Sequence, residues 1–229
     1  MKLSIIIPCY NEEKTISLII DKILSNYTGE KEIIVIDDCS NDKTSEILKT
    51  DLKNKIDKLI FNTKNSGKGF SIRKGINIAE GDIILIQDAD LEYDPSDYAK
   101  LINPIKKGLA DVVYGSRFMG GEEKRVLFFW HTLGNKFLTT LSNMFSNLNL
   151  TDMEVGYKSF KSNILKDINL IENRFGFEPE VTAKIAKKKI RIYEVGTSYY
   201  GRKYEDGKKI TWKDGISAIR CIFKYNLFN

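Results

Sequence analysis

Asp88, Asp90 and Glu92 alternate in the stretch Asp88-Ala89-Asp90-Leu91-Glu92, directly after an apolar run at 83–87. Three hard oxygen donors at that spacing suit a small divalent cation such as Mg²⁺ or Mn²⁺. A cation there would have a task, the neutralising of charge on a departing diphosphate. Two further clusters follow apolar runs in the same way. Pro8-Cys9-Tyr10-Asn11-Glu12 ends the run at 3–8, and Asp37-Asp38-Cys39-Ser40 ends the run at 32–37. A lone D-x-D is short and common, and solvated carboxylates or helix caps would explain it. Three such chain ends together favour the functional reading.

The elements that must position these groups are short and regular. Runs rich in β-branched residues at 3–8, 32–37, 58–61, 83–87 and 111–114 read as buried strands. Amphipathic stretches at 12–25, 43–49, 68–79 and 96–106 read as helices. The first carries Ile16, Ile19, Ile20 and Ile23 at helical spacing, with Asn11 placed as N-cap and Glu12 and Glu13 in its first turn. Such alternation implies an α/β fold, a mostly parallel sheet with helices on both faces. Ligands then bind beyond the carboxyl ends of the strands, which gathers all three clusters on one edge. No G-x-G-x-x-G turn or Walker loop stands there, so an acidic rim would repel phosphate unless a cation lay between them.

Residues 116–229 read differently. An aromatic stretch covers 126–150, helical stretches lie near 162–170 and 178–188, a strand near 190–195, a polar loop at 199–209 and a last helix near 212–225. No repeat or long linker divides the chain, so 1–229 reads as one domain. Its 229 residues are 42% hydrophobic and 29% charged, ordinary for a globular protein. A net charge of +5 is too small and dispersed for a nucleic-acid binder. Cys9, Cys39 and Cys221 form no CxxC pair and read as reduced thiols of a cytoplasmic protein. The N-terminus lacks signal-peptide organisation, and no window suits a spanning helix. Work at the cytoplasmic face of a membrane stays open. His131, the only histidine, reads as a packing or surface residue.

Five motifs in order carry a resemblance over about half the chain: residues 5–13, 35–42, Asn65-Ser66-Gly67-Lys68-Gly69, Asp88-Ala89-Asp90-Leu91-Glu92 and Gly115-Ser116-Arg117. The chain resembles the family 2 glycosyltransferases with a GT-A fold, especially the dolichol-phosphate mannose synthase-like group. The resemblance implies a nucleotide-sugar-binding half at 1–115 and an acceptor-side half with interface helices at 116–229. It implies that Pro8, Tyr10 and Glu12 line the base and ribose, and that Asp37 and Asp38 bind base or ribose groups. Gly67-Lys68-Gly69 would close over the donor, with Lys68 as a nearby charge. Asp88 and Ala89 would touch ribose or sugar. Asp90 would ligate the metal directly, and Glu92 would be a second ligand where the mannose synthases commonly have Gln. The segment 150–158 resembles the acceptor-side motif, and 199–202 with 207–209 a basic loop of the family.

Enzymes of this type invert the anomeric centre. A polyprenyl phosphate acceptor is already anionic and needs cations to gather phosphates. Arg117, Arg125, Arg202 and Lys208 are the candidates, with Lys124 and Lys209 read as solvated. A glycan hydroxyl acceptor needs a general base, Asp152 first and Glu154 second. Asp90, Asp152, Arg117 and Arg202 thus form the expected catalytic set. The stretch Val126-Leu127-Phe128-Phe129-Trp130, continuing through Phe137 and Leu141, suits a lipid interface, and equally a packed helix or a homodimer contact. A sugar-phosphate nucleotidyltransferase would want a glycine-rich basic loop where Asn11-Glu12-Glu13 stands. A non-catalytic nucleotide-sugar binder would not need the full acidic set.

Overall fold

Ile5, Ile6 and Ile7 are all fully buried in the strand Leu3–Cys9 (β1). Successive strand residues face opposite ways, so β1 is covered on both faces. The same holds for β2 (Lys31–Asp37) and β4 (Ile83–Ile86). The computed structural model describes residues 1–120, 125–126, 128–202 and 212–228. These strands belong to a seven-stranded sheet with β3 (Lys58–Phe61), β5 (Val112–Ser116), β6 (Lys158–Lys161) and β7 (Ile192–Gly196). Its order is β3-β2-β1-β4-β6-β5-β7. Only the pairings of β6, with β4 and with β5, are antiparallel. The mostly parallel α/β sheet expected from the sequence is therefore present.

The helices are α1 (Ile16–Asn26), α2 (Thr44–Lys49), α3 (Lys68–Ile78), α4 (Tyr98–Lys106), α5 (Phe129–Ser146), α6 (Ser162–Lys166), α7 (Phe177–Lys187) and α8 (Trp212–Leu227). The chain steps outward from β1 to β2 to β3, then returns across β1 to β4. Right-handed crossovers then put α1 and α2 on one face and α3 on the other. A Cβ on Gly75 of α3 would meet Ile6 and Ile36, so that helix lies directly on β1 and β2.

Three expectations need correction. The first helix starts at Ile16, not at 12. Asn11 is left-handed (φ 51°); its N–H donates to Ser40 Oγ at 2.9 Å, and its Oδ1 accepts from Asn41 N–H at 2.9 Å. It stitches the β1 loop to the β2 loop instead of capping a helix. The helix expected near 162–170 stops at Lys166. Strand β6 was not expected at all. Its Lys158 is buried, and its ammonium donates to the carbonyls of Met153, at 3.1 Å, and of Val155. Those bonds let a lysine stand inside the sheet.

Candidate active site

The strand order reverses direction between β1 and β4, and the crevice beyond their carboxyl ends is where parallel sheets bind ligands. Three non-glycine residues at this edge are left-handed: Asn11, Cys39 and Leu91, with φ of 51°, 63° and 63°. Each turns the chain sharply just past a strand. Strained turns of this kind gather at functional sites.

The β2 end is held internally. Asp37 is buried and accepts from Ser40 Oγ at 2.5 Å and from the Ser45 hydroxyl. Asp38 accepts from Asn62 Nδ2 at 2.7 Å, Ser66 N–H at 3.0 Å and Gly67 N–H at 2.6 Å. Asp38 therefore fixes the loop that leads into α3. Gly67 (φ 99°) and Gly69 admit no side chain, because residues 172–174 pack against them. Close packing accounts for both glycines. Pro8 and Tyr10 are half-buried at the end of β1, and Ala89 is buried.

Asp88 and Asp90 follow β4 as expected. Lys68 Nζ lies 2.8 Å from Asp88 Oδ1 and 3.1 Å from Glu178 Oε1. Burial works against the Lys68 ammonium, but Asp88 and Glu178 outweigh it and hold the group above its usual range. The Asp88 carboxylate rests on Gly156, where any Cβ would overlap it. Burial pushes the Asp90 carboxyl up to about 8, and the Glu92 and Asp88 carboxylates push the same way against Arg202.

The loop after β7 closes over this motif. Arg202 donates from Nη2 to Glu12 Oε2 at 2.7 Å and to the Asp90 carbonyl at 2.7 Å. Its backbone N–H donates to Glu92 Oε1 at 2.7 Å, and Tyr199 Oη donates to Glu92 Oε2 at 2.9 Å. Arg125 joins the same loop, donating from Nη1 to the Gly201 carbonyl at 2.8 Å. Beside it, Arg117 grips Asp152 through Nε to Oδ2 and Nη2 to Oδ1, both at 2.7 Å. The backbone N–H of Arg117 also donates to Oδ2 at 3.0 Å, so both oxygens of the buried Asp152 are occupied. Lys124, Lys208 and Lys209 lie outside the described residues.

The model of "Glycosyl transferase family 2" matches residues 4–168. The chain belongs to glycosyl transferase family 2. It is 28% identical over 228 residues to a dolichol-phosphate mannosyltransferase of Pyrococcus furiosus, covering 98% of this chain and 63% of that one. It is 27% identical over 219 residues to an undecaprenyl-phosphate mannosyltransferase of Micrococcus luteus, covering 91% and 87%. The chain thus spans less than two thirds of the Pyrococcus relative. Glucosyl-3-phosphoglycerate synthase from Mycobacterium tuberculosis, crystallised with Mn²⁺, UDP and phosphoglyceric acid, superposes with a TM-score of 0.78 at 17% identity. That superposition covers 100% of this chain and 79% of the synthase, and it establishes the GT-A fold.

The donor set fits the divalent cation that the family implies. Asp90 is half-buried among the carboxylates of Asp88, Glu92 and Glu12, which together with desolvation push its pKa up, and a dication would offset that accumulation of negative charge. Glu92 fits less directly, since Tyr199 and the Arg202 amide hold both its oxygens. Among the described residues no group of three or more His, Cys, Asp or Glu side chains is arranged as a metal cage. Substrate phosphates and water commonly complete Mg²⁺ sites.

Glu178, Tyr199, Tyr93 and Gly156 were given no individual role from the sequence, although Gly156 and Tyr199 lie within the segments 150–158 and 199–202 that carry the resemblance. Tyr93 stacks on Tyr157 with ring centroids 4.7 Å apart, and its Oη accepts the Gly156 N–H at 3.0 Å. Glu178 carried a signal. It is an acid beside Phe177 and Val181 in a helix whose neighbouring residues are buried, a place where a charge needs a partner.

Proposed function

We propose that this chain transfers a hexose from a nucleotide sugar to a polyprenyl phosphate, with inversion and with a divalent cation. The observation that carries the reading is the side-by-side placement of an acid-rich motif and arginines. Asp90 lies among Asp88, Glu92 and Glu12, while Arg202 donates to the Asp90 carbonyl and Glu12. Asp90 would hold a divalent cation, whose charge would offset that of the departing diphosphate. Arg202 and Arg117 supply positive charge beside the motif toward which acceptor phosphate oxygens are drawn. Lys68 and Asp88 orient the donor, and Pro8 and Tyr10 line its nucleotide.

A phosphate acceptor also fits Asp152. A hydroxyl acceptor would need a free base, and both Asp152 oxygens are already held by Arg117. The names of the Pyrococcus and Micrococcus relatives point to lipid phosphates.

The C-terminal helices supply a surface for such a lipid. In α5, Phe129 and Trp130 are 70% and 77% exposed, and Leu133, Phe137 and Met144 extend the stripe. On α8, Trp212, Ile216 and Leu227 are exposed. The two helices meet through Phe145 and Phe223, ring centroids 4.9 Å apart. No helix among the described residues is long and apolar enough to cross a membrane. The exposed stripes suit a peripheral contact, with the tryptophans at headgroup depth. Transfer of label from GDP-mannose or UDP-glucose to undecaprenyl phosphate in the presence of Mn²⁺ tests the reading. Turnover confined to free glycans would refute it.

A further inference from the structure

We infer that Glu92 latches the loop after β7 onto the acidic motif, rather than ligating the metal, and that it positions Arg202 and Arg117 through that loop. This rests on the transferase reading above. The chain turns at 89–93, and Leu91 within the turn is left-handed (φ 63°). The strand alternation that would set residues 90 and 92 on one face does not hold there. Only the backbone N–H of Glu92 meets the Asp90 carboxylate, donating to Oδ1 at 3.1 Å. The Glu92 carboxylate meets the loop instead. Oε1 accepts the Arg202 backbone N–H at 2.7 Å, and Oε2 accepts the Tyr199 hydroxyl at 2.9 Å. The Tyr200 N–H adds a bond to the Glu92 carbonyl at 2.9 Å. Tyr199, Tyr200 and Arg202 are thus all fastened to one residue more than a hundred positions earlier in the chain.

Both arginines depend on this fastening. Arg202 is held at its own amide, and from there its guanidinium reaches the Asp90 carbonyl through Nε at 2.9 Å and Nη2 at 2.7 Å. The Tyr199 ring lies against Arg117, with the guanidinium carbon 5.3 Å from the ring centroid, and against Tyr93, centroids 5.3 Å apart. A carboxylate only accepts hydrogen bonds, which matches the two donors presented to it. Moving Glu92 onto a cation would strip the acceptor from the Arg202 N–H and from the hydroxyl of Tyr199, a residue only 4% exposed. Ligation by Glu92 therefore works against the placement of the arginines, and Asp90 with substrate phosphates and water is left to hold the ion.

Glu92→Gln and Glu92→Leu carry the same charge, so comparing them separates the two roles. Gln offers its oxygen to the Arg202 N–H and its amide group to the Tyr199 oxygen, whereas Leu offers neither. Amide hydrogen exchange over residues 199–202 should quicken at least about tenfold in Glu92→Leu and stay within about threefold of wild type in Glu92→Gln. With undecaprenyl phosphate, kcat/KM should fall at least about tenfold in Glu92→Leu and recover in Glu92→Gln. Mn²⁺ affinity in the presence of UDP or GDP, read by electron paramagnetic resonance, should agree between the two variants to within about tenfold. Tyr199→Phe removes one bond without touching Glu92; it should quicken the same exchange and keep the Mn²⁺ affinity. A wider gap in Mn²⁺ affinity, with Glu92→Leu the weaker, would make Glu92 a ligand and overturn the proposal. So would unchanged exchange in both Glu92→Leu and Tyr199→Phe, or an equal loss of kcat/KM in Glu92→Gln and Glu92→Leu. A wild-type chain that binds neither nucleotide would remove the transferase reading alone, because exchange over 199–202 still decides the latch.

Discussion

Arg202 closes on Glu12 across 190 residues of sequence, with Nη2 2.7 Å from Oε2, while Nε and Nη2 also donate to the Asp90 carbonyl. One guanidinium thus ties together the β1 loop, the acidic motif and the loop after β7. Lysine would keep the charge and lose the fork. Arg202→Lys should lower kcat/KM by about 100-fold, since each lost charge-assisted bond is worth about 1.5–3 kcal/mol. Steady-state kinetics with a lipid phosphate acceptor would read the loss. An unchanged kcat/KM would detach Arg202 from the site.

Gly156→Ala introduces a methyl group where Asp88 and Tyr93 already sit. Overpacking of this kind costs about 1–3 kcal/mol. Asp88 must move, and its pair with Lys68 should break. Urea unfolding should show the stability loss, and nucleotide-sugar titration a fall in affinity larger than the fall for the nucleoside diphosphate. Equal falls for both ligands would contradict the placement of Asp88 at the sugar end.

Glu172 anchors α8 through Arg220 Nη2 at 2.7 Å and Tyr225 Oη at 2.7 Å. Burial raises its pKa, but those hydrogen bonds outweigh burial and bring the group down to about 2. The folded value lies below the unfolded one, so the stabilisation is present above pH ~4.5 and is lost as pH falls toward 2. Glu172→Gln should lower the thermal midpoint at pH 7 and flatten its dependence on pH across that window. Calorimetry at several pH values checks both. A variant that keeps the full wild-type acid dependence would assign it to other carboxylates.

The apolar stripes on α5 and α8 face outward. Trp130→Glu with Phe137→Glu should reduce sedimentation with vesicles of phosphatidylglycerol and phosphatidylethanolamine by at least about tenfold, since each charge opposes interfacial burial. The thermal midpoint should stay within a few degrees, because both side chains are already exposed. Undiminished vesicle binding would move the membrane contact elsewhere. A dimer that dissociates in the double variant would assign the stripes to self-association.

Legibility followed burial. Strands β1, β2 and β4 were readable because burial on both faces demands unbroken β-branched runs. Strand β6 reads Lys-Ser-Phe-Lys and hid, because Lys158 is satisfied by carbonyls three and five residues back, which no pattern of hydropathy reveals. The start of α1 was misplaced because Asn11 looks like a cap yet bonds to Ser40 and Asn41 in the loop after β2. Asp88 and Asp90 stood out only in company with the clusters that end β1 and β2, since a lone D-x-D is short and common. The pairings Lys68–Glu178, Arg202–Glu12 and Arg117–Asp152 join residues distant in sequence. Only the folded chain brings them together, and with them comes the distinction between carboxylates already held, Asp38 and Asp152, and one short of positive charge, Asp90.

Donor cleavage that depends on the lipid acceptor tests the central claim most directly. The purified chain, with Mn²⁺ and GDP-mannose or UDP-glucose, would be assayed for nucleoside diphosphate release with and without undecaprenyl phosphate, beside Asp90→Asn. Release that requires both metal and lipid, yields a glycosylated lipid and disappears in the variant is the predicted result. Release that is indifferent to lipid, or that persists in folded Asp90→Asn, would contradict the account.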